Sequence, residues 1–362
     1  MKDDDILGIK HPTDTQLGKF LKYYDLQSKM FMPNEIFEDL KDKYTELYPD
    51  LMDGEAPENA KSKVVSSHLA FTYSYYYLIS WLYRYCKYDS SDIDVKTIKK
   101  ALAYSHTTKT IDFIIKKGGV LDQMGYTFTS TDYPVYWEYE QGGEFGRETE
   151  LKFTYSSELI DGEDEGNPDN YFKLRVHGNR GSNFKIKHPV KGLWRTKESE
   201  EDGLLDGTFY DVSKTHLIQF EIFLFCMGNK NLGCTAFYLY SYLKRMNDVF
   251  SDGYDVSIPA LAYQTGIKER TLIKYLTLLK KHRMINCRHN QEYYVAGLPK
   301  EKRMANTYFT NDYIAFSDQP LTVKPIKTIT LDKYNELHPE QDEFNPACID
   351  EAMWGLEEKQ ES

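Results

Sequence analysis

The side chains best suited to chemistry lie in one run, KERTLIKYLTLLKKHR, at residues 268–283. At spacings of three and four, Leu272, Tyr275, Leu276 and Leu279 mark one helical face, while Lys268, Glu269, Arg270, Ile273, Lys274 and Thr277 mark the other. Such a face recognises rather than reacts. The planar guanidinium of Arg270 can donate two parallel hydrogen bonds to a guanine edge, and Lys274 can meet a base or a phosphate. Arg288 and His289 follow in an extended run beginning at Met284-Ile285, where they can track phosphates or a minor groove. Lys300, Lys302 and Arg303 fall in the loop before a return strand at Tyr308-Phe309. Lys280, Lys281 and Arg283 are weaker candidates, because the C-terminus of a helix attracts cations through its dipole alone. Lysines that merely solvate a helix face would have the same composition, so binding to a protein partner stays open.

Two further groups carry the same chemistry. In Tyr171–Pro189, Phe172, Leu174 and Val176 alternate with Lys173, Arg175 and His177. After a Gly/Asn-rich turn, Phe184 and Ile186 alternate with Lys185 and Lys187. Strict alternation predicts a β-hairpin with one apolar and one basic face and with Arg180 at its tip. That ribbon can lie along phosphates, or its lysines can guard an exposed edge. In the N-terminal half, His106, Thr107, Thr108 and Lys109 open a segment read as a helix to Lys117.

Covalent chemistry finds little support. There is no phosphate-binding G-x-x-x-x-G-K-[ST], no H-E-x-x-H, and no His pair spaced for a metal. The carboxylates fall in loops, where solvation explains them. We therefore expect no catalytic residues, no metal, no cofactor and no enzymatic activity. The five cysteines are scattered without a CxxC, which fits reduced thiols in a cytoplasm. No apolar run approaches the roughly 18 residues of a membrane span, and the acidic N-terminus has no signal-peptide pattern.

The 362 residues carry a net charge of −11, which by itself opposes binding to nucleic acid. The charge is segregated, however. Residues 171–197 hold eight Lys/Arg and no Asp/Glu, and residues 268–289 hold seven against Glu269 alone. Such a chain can grip phosphate at chosen places and discourage it elsewhere. Thirty tyrosines sit mostly inside apolar runs, such as Tyr73, Tyr75, Tyr76 and Tyr77, and are expected at core boundaries with wet hydroxyls.

The elements that must position these groups can be read along the chain. Residues 1–60 form an acidic helical extension, with helices at Gln16–Leu26 and at Asn34–Tyr48, the latter on Ile36, Phe37, Leu40 and Tyr44. An apolar helix follows at Ser67–Cys86, then shorter helices to Lys117 and strands from Gly125 to Tyr139. Residues 141–170 are polar and read as loop. Cys234–Val249 is an amphipathic helix, and Val256–Thr265 is a short one, capped by Ser257 with Pro259 in its first turn. Gly266 permits the turn into the basic helix. The tail from Asp312 is acidic, with periodicity only at Ala347–Leu356, which includes Trp354.

The run Ala260–Ile285 resembles the winged helix-turn-helix superfamily, with Ala262 packing the helix pair, Gly266 in the turn and Thr271 opening the third helix. Val95–Ala103 and His106–Lys117 look like a second copy, since Ala101, Thr110, Ile111 and Lys116-Lys117 match Ala262, Thr271, Leu272 and Lys280-Lys281. The resemblance implies a mainly α fold with small β-wings (α+β), built of two winged-helix domains joined by a hairpin-containing linker. The expected boundaries are 61–140 and 211–312 for the two domains, 141–210 for the linker with its hairpin at 171–189, and 313–362 for the acidic tail. The resemblance also implies sequence-specific binding of double-stranded DNA, by analogy with initiators of plasmid or phage replication. A winged-helix transcription regulator and a protein–protein adaptor are the alternatives. It allows a homodimer and a protein partner for the acidic tail, and implies no membrane.

Overall fold

The computed structural model describes residues 29–47, 61–88, 93–142, 148–161, 184–190, 214–299, 302–324 and 326–338. The chain is a mixed α+β fold with small sheets. The predicted helix at Gln16–Leu26, the Ala347–Leu356 segment and most of the predicted ribbon lie outside these residues.

The first half comprises β1 (Lys29–Pro33), α1 (Ile36–Leu47), α2 (Lys61–Arg84), α3 (Val95–Ala101), α4 (Asp112–Ile115), α5 (Val120–Gln123), β2 (Thr127–Ser130), β3 (Pro134–Gly142), β4 (Glu148–Tyr155), α6 (Ser156–Asp161) and β5 (Ile186–Pro189). Helix α1 buries Ile36, Phe37, Leu40 and Tyr44, the periodic face read from sequence. It is not an appendage: β1 pairs antiparallel with β6 (Thr215–Gln219), which fastens residues 29–47 to the C-terminal half.

That half continues with α7 (Phe220–Gly228), α8 (Gly233–Val249), β7 (Tyr254–Val256), α9 (Ile258–Thr265), α10 (Glu269–Lys281), β8 (Ile285–His289), β9 (Tyr294–Val295), β10 (Asn306–Thr310), β11 (Thr328–Ile329) and α11 (Leu331–Leu337). The described part of the tail, as far as residue 338, packs back on the fold. Tyr313 and Phe316 are buried, β11 pairs with β9 in parallel, and the Ser317 carbonyl lies 2.8 Å from His282 Nδ1.

One continuous core joins the two halves, centred on α2 against α8. Tyr73, Tyr75, Tyr76 and Tyr77 are fully inside it rather than at its boundary. Several hydroxyls in this core find internal partners. Tyr73 meets His216 Nε2 at 2.8 Å, Tyr77 donates to the Ile218 carbonyl at 3.0 Å, and Tyr44 meets Thr72 Oγ1 at 2.6 Å. A buried Tyr with a satisfied hydroxyl packs as a large apolar residue. The aromatic rings interlock across the halves, Tyr77 with Phe237 at 5.0 Å and Trp81 stacked on Phe220 at 3.9 Å.

The first half departs from the expected second copy. Of residues 106–117 only Asp112–Ile115 is helical. The cause is local: Ser105 and Thr107 bond to one another at 2.8 Å, and the Ser105 hydroxyl also accepts from the Thr107 amide. Hydroxyl side chains that engage nearby backbone compete with the helix. Lys99 Nζ takes the Thr108 carbonyl and the Asp112 carboxylate, both at 2.5 Å, which fixes the turn. Downstream, β2 pairs with β5 and β3 pairs with β4, so β2 and β3, the two strands that fall in Gly125–Tyr139, are not partners of each other. Residues 148–161, expected as loop, supply β4 and α6.

Candidate nucleic-acid interface

Helix α10 buries Leu272, Leu276 and Leu279 and half-buries Tyr275, which turns the opposite face outward. On that face Lys268, Glu269, Arg270, Ile273 and Lys274 are exposed, with Thr271 and Thr277 half-buried beside them. Thr277 Oγ1 is occupied by the Ile273 carbonyl at 2.8 Å, and Lys274 Nζ lies 5.3 Å from the Tyr275 ring centre. The helix thus presents three cations, Lys268, Arg270 and Lys274, within its first two turns.

The preceding turn sets the position of α10. Ser257 caps α9 by accepting from the Ala260 amide, and α9 ends on Gly266 in the left-handed region at φ +65°. A side chain there would meet its own backbone, at a cost of roughly 1–2 kcal/mol. Ile267 is buried, and Thr265 Oγ1 donates to the Leu261 carbonyl at 2.7 Å while accepting from the Ile267 amide at 3.3 Å. The Tyr238 hydroxyl on α8 donates to the Thr265 carbonyl at 3.0 Å. A further support comes from far along the chain: Ser66 Oγ on α2 donates to the Gly266 carbonyl at 3.3 Å and lies 3.4 Å from the Lys268 amide. Nothing in the local sequence pointed to Ser66.

After α10, β8 and β10 pair antiparallel, and β7 completes a three-stranded sheet in the order β7-β10-β8. Strand β7 is only three residues long, too short for its alternation to be noticed. The turn into it requires Gly253, at φ +98°, because a Cβ would come within 2.5 Å of Phe309 and Thr307. Arg288 and His289 end β8 opposite Thr307 and Asn306, and both are exposed. Arg288 donates to Thr307 Oγ1 and to Asn290 Oδ1, each at 3.3 Å, and His289 Nδ1 lies 3.0 Å from Asn306 Oδ1. Lys302 and Arg303 are exposed in the loop before β10, with Arg303 Nε donating to the Leu298 carbonyl at 2.8 Å.

The remaining predicted residues separate from this group. His106, Thr107 and Lys109 are exposed but sit in turns, not on a helix. Lys185 is exposed just before β5. Lys187 is withdrawn from phosphate contact: it is 5% exposed, and its Nζ donates to Asp122 Oδ2 at 2.5 Å, the Lys116 carbonyl at 2.8 Å and Thr129 Oγ1 at 3.0 Å. The expected alternation fails there because β5 pairs with β2, whose Thr129 lies opposite Lys187. Lys173, Arg175 and Arg180 lie outside the described residues. His106, Lys185 and Lys187 do share a separate cavity between α3, α4 and β5.

Among the described residues no group of His, Cys, Asp or Glu could hold a metal ion, and no helix is long and apolar enough to cross a membrane. No disulfide joins the four described cysteines, and burial pushes the thiols of Cys226 and Cys234 up, the latter to about 12. Thiols so shifted are poor nucleophiles. No family model matches this chain, and neither the curated proteins nor the solved structures include one that matches it.

Proposed function

We propose that this chain binds double-stranded DNA in a sequence-specific way, through a winged helix-turn-helix unit spanning α8 to β10. In this reading α10 enters the major groove, Arg270 reads a base edge, and Lys268 and Lys274 contact base or phosphate. Arg288, His289, Lys302 and Arg303 flank it from the strand pair and its loop. The observation that carries the reading is the amphipathic division of α10, with leucines inward and Lys268, Arg270 and Lys274 outward beyond a left-handed Gly266 turn.

The narrower role, initiation of plasmid or phage replication, leans on a second unit in residues 61–140. Its support is reduced by the four-residue length of α4. Transcription regulation is favoured as strongly by a single unit. Crosslinking of the protein to DNA across the genome tests all three readings. Directly repeated sites at one replicon's origin favour initiation, and sites at promoters favour regulation. Recovery of no DNA above background refutes the binding reading and leaves the protein–protein adaptor.

A further inference from the structure

A cavity of about 620 Å³ lies in the first half, away from α10, between α2, α3, α4 and β5. Its volume is in the range of small-molecule sites. Two kinds of residue line it. Tyr75, Ile79, Tyr88 and Ile98 form an apolar wall with two aromatic rings. Lys96, Lys116, Lys117 and Lys185 line it as exposed cations, with His106 beside them.

Around the cavity the described residues leave an excess of positive charge without an ion-pair partner. The two buried lysines are compensated, Lys99 by Asp112 and Lys187 by Asp122. The remaining acidic lining residue, Asp94, is occupied as the cap of α3, where it accepts from the Thr97 amide at 2.6 Å. Lys96, Lys116, Lys117 and Lys185 are in no ion pair with a described residue. Four like charges around one mouth repel one another, and a polyvalent anion would relieve this. A phosphate monoester carries nearly two charges at neutral pH, where a carboxylate carries one.

The wall adds a second requirement. Tyr75 and Tyr88 are each 2% exposed, and both line the cavity. Aromatic rings in a cavity wall offer flat apolar faces with a polar tip, which suits an occupant with a flat body. Burial pushes both phenols up, so they stay protonated donors.

We propose that this cavity binds a phosphorylated small molecule with a flat, largely apolar body, a nucleotide being the chemical class that fits. The phosphate sits among Lys96, Lys116, Lys117 and Lys185, and the body lies against Tyr75, Tyr88, Ile79 and Ile98. The site is independent of DNA reading by α10.

Titration calorimetry of the full chain in phosphate-free buffer, with AMP, ATP, adenosine and inorganic phosphate as probes, tests the proposal. AMP or ATP binds saturably, one per chain, while adenosine and inorganic phosphate each bind at least tenfold more weakly. The double variant Lys116→Gln/Lys117→Gln weakens nucleotide binding about tenfold or more. Val95 also lines the cavity and is exposed, so Val95→Trp adds bulk there without altering charge and weakens binding too, and circular dichroism confirms that both variants fold. Failure of both nucleotides to bind at millimolar concentration overturns the proposal. So does adenosine binding as tightly as AMP, or a nucleotide affinity that neither variant changes. Binding of a single-stranded oligonucleotide without binding of mononucleotides also overturns it. Duplex affinity of the Lys116→Gln/Lys117→Gln protein, measured in parallel, reports on the α10 reading separately.

Discussion

Replacing Lys187 by Met separates two roles that sequence alone confuses, a phosphate contact and a structural ion pair. Lys187 Nζ makes three hydrogen bonds, and its partner Asp122 is itself held by the Gly118 amide at 2.8 Å and Thr127 Oγ1 at 2.5 Å. The side chains are 5% and 13% exposed, so little solvent screens the pair. Removing one partner of a buried pair strands the other and costs about 3–5 kcal/mol. The residual exposure of Asp122 puts the expectation at the lower end, about 3 kcal/mol, or roughly 5–10 °C in Tm. The pH dependence follows from the same contacts. Burial pushes the Asp122 carboxyl up, but Lys187, Thr127 and Gly118 outweigh it and hold the group below its ordinary value. Its stabilising contribution is therefore full above the unfolded value near 4 and is lost as pH falls through the lower folded value. Chemical denaturation of the wild type and Lys187→Met should differ fully at pH 7 and converge below about pH 4. A destabilisation under about 1 kcal/mol at pH 7, or a loss of duplex affinity with stability unchanged, would refute the structural role.

Other perturbations test separate parts of the account. His216 is buried against Tyr73 and Asn34, and burial, followed by Arg245 and Lys244, lowers its value to about 3. Because the folded value lies below the unfolded one, stability should fall as pH drops from about 6.5 toward 3, by up to about 1.4 kcal/mol per unit. His216→Gln should flatten that slope, as denaturation at pH 7, 6 and 5 would show. Gly253→Ala forces a Cβ onto Phe309 and Thr307 at a left-handed φ and should cost roughly 2 kcal/mol or more, read as a lowered Tm. Arg270→Ala should lose about 1–3 kcal/mol at the preferred duplex and relax selection at one base position. An unchanged site preference in selection from random duplexes would place the reading face elsewhere.

What could be read in the sequence was local. The inward faces of α1 and α10 follow from helical spacing of Ile36, Phe37, Leu40 and Tyr44 and of Leu272, Leu276 and Leu279. The Ser257 cap and the Gly266 turn follow from residue types with one favoured use. What stayed hidden depends on distant pairing. Strand β1 finds β6 across more than 180 residues, and β2 takes β5 rather than β3. The hydrogen bonds from Ser66 to the turn before α10 join residues 200 apart. Lys187 shows the same limit at the candidate site: alternation put it on a basic face, but pairing with β2 turned it onto Asp122. The His106–Lys117 segment had helical spacing, yet at its start the Ser105 hydroxyl engages the Thr107 hydroxyl and amide.

The central claim, that α10 meets phosphate and base, is tested most directly by duplex affinity as a function of salt. The comparison is between the wild type and Lys268→Gln/Arg270→Gln/Lys274→Gln. Log affinity of the wild type should fall linearly with log salt. The triple variant should bind more weakly and with a slope smaller by about 1–2, since Lys268 and Lys274 supply the phosphate contacts and each contributes about 0.9. A wild type that binds no duplex at low salt, or a triple variant with unchanged affinity and slope, would contradict it.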